Sequence, residues 1–290
     1  MSAKISGLLA QRLEQGTHNP LVVGSNPTGP SLRRHDSGPK TAPRNPACSG
    51  VETGREKTAP PPRRLLSASV LTVLLLLPTS SFAQTTDELE QKGINEGKAG
   101  HYAAAISDFD QAISGDPGNA DFYYQRGIAH FFNGDLDPAE ADFQSAIANA
   151  PDWAPAYCYR GRTRVKRGHW GDAMHDYERA IELDPLNPMG YCFRGELEVL
   201  DLKSDRALAD FNRAIALNPK YLTAYLDRAL LRQHKSDWDG EIADLDRIIA
   251  VDPGVSAYYQ LRGQAKFDKG DYAGASADYR QSSALIKSGH

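Results

Sequence analysis

Charged side chains recur in this chain at a fixed interval, and this regularity could support chemistry. A cation occupies one place in every 34 residues, at Lys92, Arg126, Arg160, Arg194, Arg228 and Arg262. An anion follows the same interval, at Asp108, Asp142, Asp176, Asp210, Asp244 and Asp278. Because buried charges are tolerated mainly when they are paired, the two series predict a ladder of ion pairs, within one unit or between neighbouring units. The alternative is a row of ligands for an anionic partner.

The residue types that perform catalysis form no recognisable motif. The sequence has no glycine-rich phosphate loop, no HExxH, no CxxC pair and no nucleophile elbow. His169 and His175 are six residues apart, a spacing that does not place two metal ligands on one helical face. The sequence therefore predicts a protein that is not an enzyme, with no catalytic residues, no metal site and no cofactor.

Two cysteines, Cys158 and Cys192, occupy the same place in adjacent units. We expect equivalent helices of neighbouring units to lie about 8–10 Å apart. A disulfide requires Cα atoms closer than about 7 Å. The sequence therefore predicts two free thiols.

The elements that position these residues repeat with the same interval. Proline recurs every 34 residues, at Pro117, Pro151, Pro185, Pro219 and Pro253. A period of this length indicates stacked supersecondary units, none of which can bury its apolar face alone.

Each unit has the pattern of two helices joined by a turn. With Thr86 counted as position one, position eight is glycine in five of the six units and Ala229 in the other. Glycine costs about 1 kcal/mol relative to alanine inside a helix, so its recurrence predicts a close approach between the two helices. Gly134 is expected to close a first helix in the left-handed conformation, and Asp135 or Asp271 is expected to cap the start of a second helix. Repeat five departs most, because Glu241 replaces the small residue at position twenty, and we expect its helices to lie further apart.

This pattern is similar to the tetratricopeptide repeat, which has an aromatic residue at position four, Gly at eight, Ala at twenty, an aromatic at twenty-four, Ala at twenty-seven and Pro at thirty-two. One unit fills these places with Tyr157, Gly161, Ala173, Tyr177, Ala180 and Pro185. The resemblance covers six units, approximately 86–119, 120–153, 154–187, 188–221, 222–255 and 256–289. It implies an all-α fold: a right-handed α-solenoid of six helix-turn-helix repeats in a domain spanning 84–290, with the first helices lining a concave face.

The resemblance also implies a partner-binding groove on that concave face. The family's contact positions, carried over singly, are Tyr124, Phe131, Phe132, Tyr159, Arg162, Met189, Phe193, Leu226, Leu230 and Phe267. About half of such an apolar set is expected to pack between repeats. We expect the remainder to hold an apolar helix or extended segment of a partner through aromatic anchors.

The segment before the repeats has a different character. Residues 1–62 are rich in Pro, Gly, Ser and Arg and lack apolar periodicity, so we expect a disordered or spurious extension. Residues 63–83 resemble a secretory signal peptide, with Arg63-Arg64, an apolar run of thirteen residues from Leu65 to Leu77, and cleavage after Ala83. The run is shorter than the roughly 20 residues of a membrane span, so cleavage is favoured over a retained anchor.

A signal peptide normally stands at the start of a protein, whereas this one follows 62 residues. The stretch Gly24-Ser25-Asn26-Pro27 back-translates to the T-arm consensus of a transfer-RNA gene. We therefore expect the true translation start to lie downstream, at Val51 or a nearby leucine codon.

The excess of acidic residues and the predicted signal segment limit the kinds of partner that this protein is expected to bind. Residues 1–83 hold ten of the 33 basic and four of the 37 acidic residues, which leaves 23 basic and 33 acidic residues in the remainder. Such an acidic surface repels phosphate backbones, so nucleic acid is not an expected partner. A membrane is expected to be a partner only if the signal segment is retained.

The sequence as a whole predicts a periplasmic or secreted scaffold that binds a protein or peptide and does not catalyse a reaction. A self-associating structural protein, in which the groove takes a helix of another copy, is one alternative. The binding subunit of an envelope enzyme complex is the other.

Overall fold

The computed structural model describes residues 79–288, with side chains from Thr86 onward. The predictions for 1–62, and for the part of the signal segment before Thr79, lie outside the described residues. Within 79–288 the regular structure consists of twelve α-helices and no strands. The helices are α1 (Thr79–Lys98), α2 (Tyr102–Gly115), α3 (Ala120–Asn133), α4 (Leu136–Asn149), α5 (Ala154–Lys166), α6 (Trp170–Leu183), α7 (Pro188–Leu200), α8 (Ser204–Leu217), α9 (Leu222–His234), α10 (Trp238–Val251), α11 (Ser256–Lys269) and α12 (Tyr272–Ser288).

Consecutive helices pair as six hairpins, and each hairpin packs on the next. The first helices of neighbouring repeats also touch, most closely where α5 meets α7. The predicted all-α solenoid is therefore confirmed. Helices α3, α5, α7, α9 and α11 begin at position one of their units, whereas α1 begins at Thr79, ahead of the predicted cleavage site. Within 79–288, no helix combines the length and apolar character that crossing a bilayer requires.

The close approach inside five of the six hairpins depends on an aromatic ring that packs directly against a glycine; repeat five has Ala229 and Leu245 at these two positions. A Cβ atom on Gly127 would lie 2.8 Å from the ring of Phe143, and one on Gly161 would lie 2.6 Å from the ring of Tyr177. The ring at position twenty-four therefore fills the space that a side chain at position eight would occupy. The small residue at position twenty lies beside the same contact, because a Cβ on Gly161 would be 3.2 Å from the Ala173 carbonyl oxygen.

The turns inside the hairpins differ between repeats. Gly134 closes α3 with φ of +92°, as the sequence predicts. Asp135 does not cap α4 through its side chain; its carboxylate accepts a hydrogen bond from Asn133 at 2.7 Å instead. Asp271 does cap α12, because its carboxylate accepts a hydrogen bond from the backbone N–H of Gly274 at 2.9 Å. Repeats four and five have no glycine at the turn, and Leu202 and Ser236 adopt left-handed φ values of 60° and 58°. Non-glycine residues pay a conformational penalty there.

The core is a layer between first and second helices that continues from one repeat to the next. A large cluster of buried side chains runs from Tyr124 in α3 to Leu231 in α9. A separate small cluster, built on Tyr225, Leu245 and Ile248, serves repeat five and the start of repeat six. A third cluster, of Ala105, Phe109 and Ala129, serves repeat one and the start of repeat two. The apolar core is therefore thinner toward both ends, including the C-terminal region around α10.

Glu241 lies in this thinner region and is only 1% exposed. Its Oε2 atom has no hydrogen-bond partner among the described residues. Burial, with repulsion from Asp268 and Asp237, raises the pKa of Glu241 to about 8. The folded protein therefore holds this carboxyl group in its neutral form at and below pH 7.

Glu241 should make stability depend on pH. Because its pKa is raised on folding, the folded state holds a proton that the unfolded state releases between about pH 4.5 and about 8, so the free energy of unfolding falls across that window. Glu241→Gln should flatten this slope in urea unfolding measured from pH 5 to 8.5, and should be more stable than wild type at the upper end. Glu88→Gln, an exposed substitution, serves as the control. An unchanged slope in Glu241→Gln would refute the assignment.

Candidate functional site

The arginines at position seven pair with the aspartates at position twenty-three inside each repeat. Arg126 donates from Nε and Nη2 to the two carboxylate oxygens of Asp142, at 2.9 and 2.6 Å. Arg160 does the same to Asp176, at 3.1 and 2.6 Å. The equivalent contacts join Arg194 to Asp210, Arg228 to Asp244 and Arg262 to Asp278. In the first repeat, the Nζ atom of Lys92 donates to Asp108 at 2.6 Å.

Four of these arginines also donate a hydrogen bond to the preceding repeat, from their third guanidinium nitrogen, Nη1. The Nη1 atom of Arg126 donates to Asp110 at 2.6 Å, and that of Arg262 donates to Asp246 at 2.6 Å. Arg160 and Arg228 make this contact with Gln144 and Asn212. The sequence left open whether the charges pair within one unit or between neighbouring units. In the structure the arginines bind acceptors both in their own repeat and in the preceding one. We call these contacts together the arginine–aspartate ladder.

The ladder leaves little of the arginine available to a ligand. The guanidinium of Arg126 lies 5.7 Å from the ring centre of Tyr123, and that of Arg160 lies 5.3 Å from that of Tyr157. Hydrogen bonds from Arg126 to Asp142 are the largest cause that raises the pKa of Arg126 above its usual range. Bidentate pairing of this kind is specific to arginine, because lysine lacks the planar fork. These contacts favour a structural role over a row of ligands for an anionic partner.

The structure narrows the groove that the sequence predicts on the inner face. Six of its ten residues are buried: Tyr124, Phe131, Tyr159, Arg162, Met189 and Phe193. The physical reason is that rings on neighbouring first helices interlock. The Tyr159 ring lies edge-on to Tyr124, Phe131 and Phe193, with centroid separations of 5.7, 6.3 and 5.8 Å. These side chains therefore belong to the core and do not present a surface to a partner.

Arg162 is the charged group at the centre of the inner face. Its guanidinium lies 4.8 Å from the ring centre of Phe193 and 5.7 Å from that of Phe131, a cation–π arrangement. Burial acts to lower the pKa of Arg162, but Glu196 and nearby tyrosines outweigh it, and the net pKa is raised. Arg162 therefore stays charged inside the ring cluster.

Three buried groups beside Arg162 were missed by the sequence analysis. Cys192, Glu196 and Asp227 hold their ligand atoms within 4.8 Å of one another, and the Cys192 thiol donates to Asp227 at 3.4 Å. A thiol with two carboxylates is a donor set that suits a divalent metal ion, although the nearby Arg162 cation opposes one. The periodic pattern gave no signal for this group, because its members occupy three different positions of two repeats.

Cys158 and Cys192 form no disulfide, as the sequence predicts, and both are buried. Burial raises the pKa of the Cys158 thiol well above its usual value. The Cys158 thiol therefore stays protonated and unreactive at neutral pH.

An acidic pair marks the N-terminal end of the inner face. Glu90 on α1 and Asp121 on α3 share a hydrogen bond, and burial followed by repulsion from Asp121 raises the pKa of Glu90 to about 7. Burial also raises the pKa of Asp121. The repeat pattern does not reveal this pair, because the two residues occupy different positions of adjacent repeats.

Most of the accessible apolar residues predicted for the inner face lie toward the opposite end. Leu226 and Leu230 on α9 are half-buried, and Phe267 on α11 is 50% exposed. Phe132 on α3 is also half-buried. The inner face thus has an acidic end, a closed centre of rings with one arginine, and an apolar end.

Six stacked helical hairpins, with equivalent side chains repeating at the same positions, define the class of α-solenoid repeat proteins. The family model described as tetratricopeptide repeat matches residues 91–152 and 202–256. A second model with the same description matches 154–187. Together the matches cover more than half of the chain, which therefore belongs to the tetratricopeptide repeat family. Proteins of this family generally mediate protein–protein interaction. No match to a curated protein was found.

Solved structures share the fold at low sequence identity. The crystal structure of PilW, described as a type IV pilus biogenesis factor, is 17% identical with a TM-score of 0.61, covering 70% of this chain and 94% of that chain. A tetratricopeptide repeat protein of Thermus thermophilus is 18% identical with a TM-score of 0.58, covering 63% and 99%. The pilF protein of Pseudomonas aeruginosa is 16% identical with a TM-score of 0.58, covering 68% and 90%. At these identities the likeness shows the fold alone.

Removing one aspartate of the arginine–aspartate ladder should destabilise the folded protein. Asp176 has a side chain only 4% exposed and accepts hydrogen bonds from both Arg160 and Arg164. Asp176→Ala leaves two cations without their shared acceptor, so the free energy of unfolding should fall by about 3–5 kcal/mol in a urea titration. Asp152→Ala, in an exposed turn, should change it by less than about 0.5 kcal/mol. Equal effects of the two substitutions would count against the ladder as a source of stability.

Proposed function

We propose that this protein is a non-catalytic scaffold of the cell envelope that binds a protein or peptide segment along the inner face of its solenoid. The observation that carries the proposal is the accessible apolar end of that face. Leu226, Leu230 and Phe267 belong to the first helices of two consecutive repeats and keep part of their surface in solvent. Accessible apolar side chains on a concave surface favour a binding site for an apolar segment.

The two ends of the inner face differ chemically, and this difference would determine the direction in which a partner segment binds. Phe267 and the two leucines offer anchors for apolar or aromatic side chains, which contribute most of the energy in many interfaces. Glu90 and Asp121 lie at the other end, where their two carboxyl groups are joined by a hydrogen bond. A basic residue of the partner would relieve the repulsion between these carboxyl groups and fix the direction of binding.

The buried rings at the centre of the inner face determine how far a bound partner segment must extend. Because Phe131, Tyr159 and Phe193 are buried, the partner is expected to lie over the rings and not between them. The segment therefore needs an apolar part, a spacer and a basic part, in that order from the C-terminal to the N-terminal repeats.

Binding can be tested with a displayed library of random peptides. Wild-type protein should select peptides that combine apolar or aromatic residues with a basic residue. Leu230→Asp and Phe267→Asp should each weaken binding of the selected peptides at least tenfold without lowering the melting temperature by more than a few degrees. Leu186→Asp, at an exposed turn between repeats, is the matched control and should bind normally. Equal binding by all variants would rule out the inner face.

The proposed location, periplasmic or secreted, rests on the segment 63–83. Mass spectrometry of the protein purified from its native source should find a mature N-terminus at Gln84 and no peptides from residues 1–50. Recovery of intact peptides that span Ala83 and Gln84, with the protein in the membrane fraction, would indicate a retained anchor instead.

A further inference from the structure

The outward side of the last hairpin forms a second surface, which we call the terminal face. It comprises Phe267 at the end of α11 with Tyr272, Tyr279, Arg280 and Lys287 on α12. These side chains line an open pocket of about 620 Å³. The rings of Phe267 and Tyr272 lie edge to face, 5.2 Å apart between centroids. The terminal face is thus aromatic and carries cations without an anion among the residues that line its pocket.

The internal junctions of the solenoid show what such a face normally holds. At each of them, the second helix of one repeat packs against the first helix of the next. The residue at position twenty-four is then fully covered, as for Phe143 and Phe211, which are 0% exposed. Tyr279 occupies the same position and is 37% exposed. The terminal face therefore has the shape of a helix-packing surface that no described element covers.

The charge on the terminal face is the reverse of that at the internal junctions. At four of the five internal junctions, the residue at position twenty-five accepts a hydrogen bond from the arginine at position seven of the next first helix, and at two of these four junctions it is an aspartate. Asp110 receives Arg126 and Asp246 receives Arg262, each at 2.6 Å. The last repeat has Arg280 at this position, and it is exposed. A helix that docks here with an arginine or lysine at position seven would meet a like charge.

We propose that the terminal face docks an amphipathic helix of a partner protein that carries an acidic residue at the place of the internal arginine. The acidic side chain pairs with Arg280, and apolar residues on the same side of the helix cover Tyr279 and Phe267. A second copy of this chain stacked head to tail is disfavoured, because its first helix brings Lys92 to that place. The surface is distinct from the acidic and central parts of the inner face, and only Phe267 belongs to both.

A charge-swap experiment with two synthetic helices tests the proposal. The first is a hydrocarbon-stapled peptide with the sequence of α11, residues 256–269, whose natural place is on the preceding repeat. The second is the same peptide with Arg262→Glu. Each is titrated by calorimetry against the full-length wild-type protein and against full-length Arg280→Asp.

The glutamate peptide should bind wild type at least tenfold more tightly than the arginine peptide, and Arg280→Asp should reverse that preference. Leu230→Asp in the inner face should leave binding of the glutamate peptide unchanged, which separates this site from the proposed groove. Equal affinities of both peptides for both proteins, or no binding at all, would overturn the proposal. Concentration-dependent dimerisation of wild type that is lost in Tyr279→Asp would also overturn it, because a second copy would then be the occupant.

Discussion

The structure depends on one charge-assisted contact that recurs in every repeat. A cation on the first helix meets a nearly buried aspartate on the second, and four of the five arginines extend a further hydrogen bond to the preceding repeat. A buried carboxylate without a partner is costly. The pairing therefore favours the register in which a cation of the first helix reaches each aspartate. The ladder fixes both the register of the two helices within a hairpin and the register between neighbouring hairpins. The apolar core fills the space between helices held in this register.

The pairing also explains the position of the accessible surfaces. Since the arginines lie beside the tyrosines of position four, the charged side chains of the ladder run along one side of the array. The inner face is left mainly to rings and aliphatic groups, with Arg162 at its centre and the Glu90–Asp121 pair at its N-terminal end. Where the rings interlock, as around Tyr159, the inner face is closed. Repeats five and six lack a ring at the position of Tyr159, and there Leu226, Leu230 and Phe267 stay partly accessible. The distribution of bulky side chains thus decides where a partner can bind.

The sequence predicted the period, the hairpins and the pairing of Arg126 with Asp142, because all three follow from residues that recur at one interval. It could not predict which groove residues are buried, because burial of Phe131 or Phe193 depends on how closely neighbouring first helices pack. The proximity of Glu90 to Asp121, and of Cys192 to Glu196 and Asp227, joins different positions of different helices and leaves no periodic signal. Asp135 and Asp271 occupy the same position, yet only Asp271 caps its helix, whereas the carboxylate of Asp135 accepts a hydrogen bond from Asn133.

The most direct test of the ladder is a double-mutant cycle on Arg160 and Asp176. Arg160→Met and Asp176→Leu are made singly and together, and the free energy of unfolding is measured for each protein. The ladder predicts that the double variant loses at least about 2 kcal/mol less than the sum of the single variants, because it removes both charges of the pair, while Arg164 keeps Glu140 as a partner. Additive losses within about 0.5 kcal/mol would show that the two side chains are not coupled and would contradict the central role of the ladder.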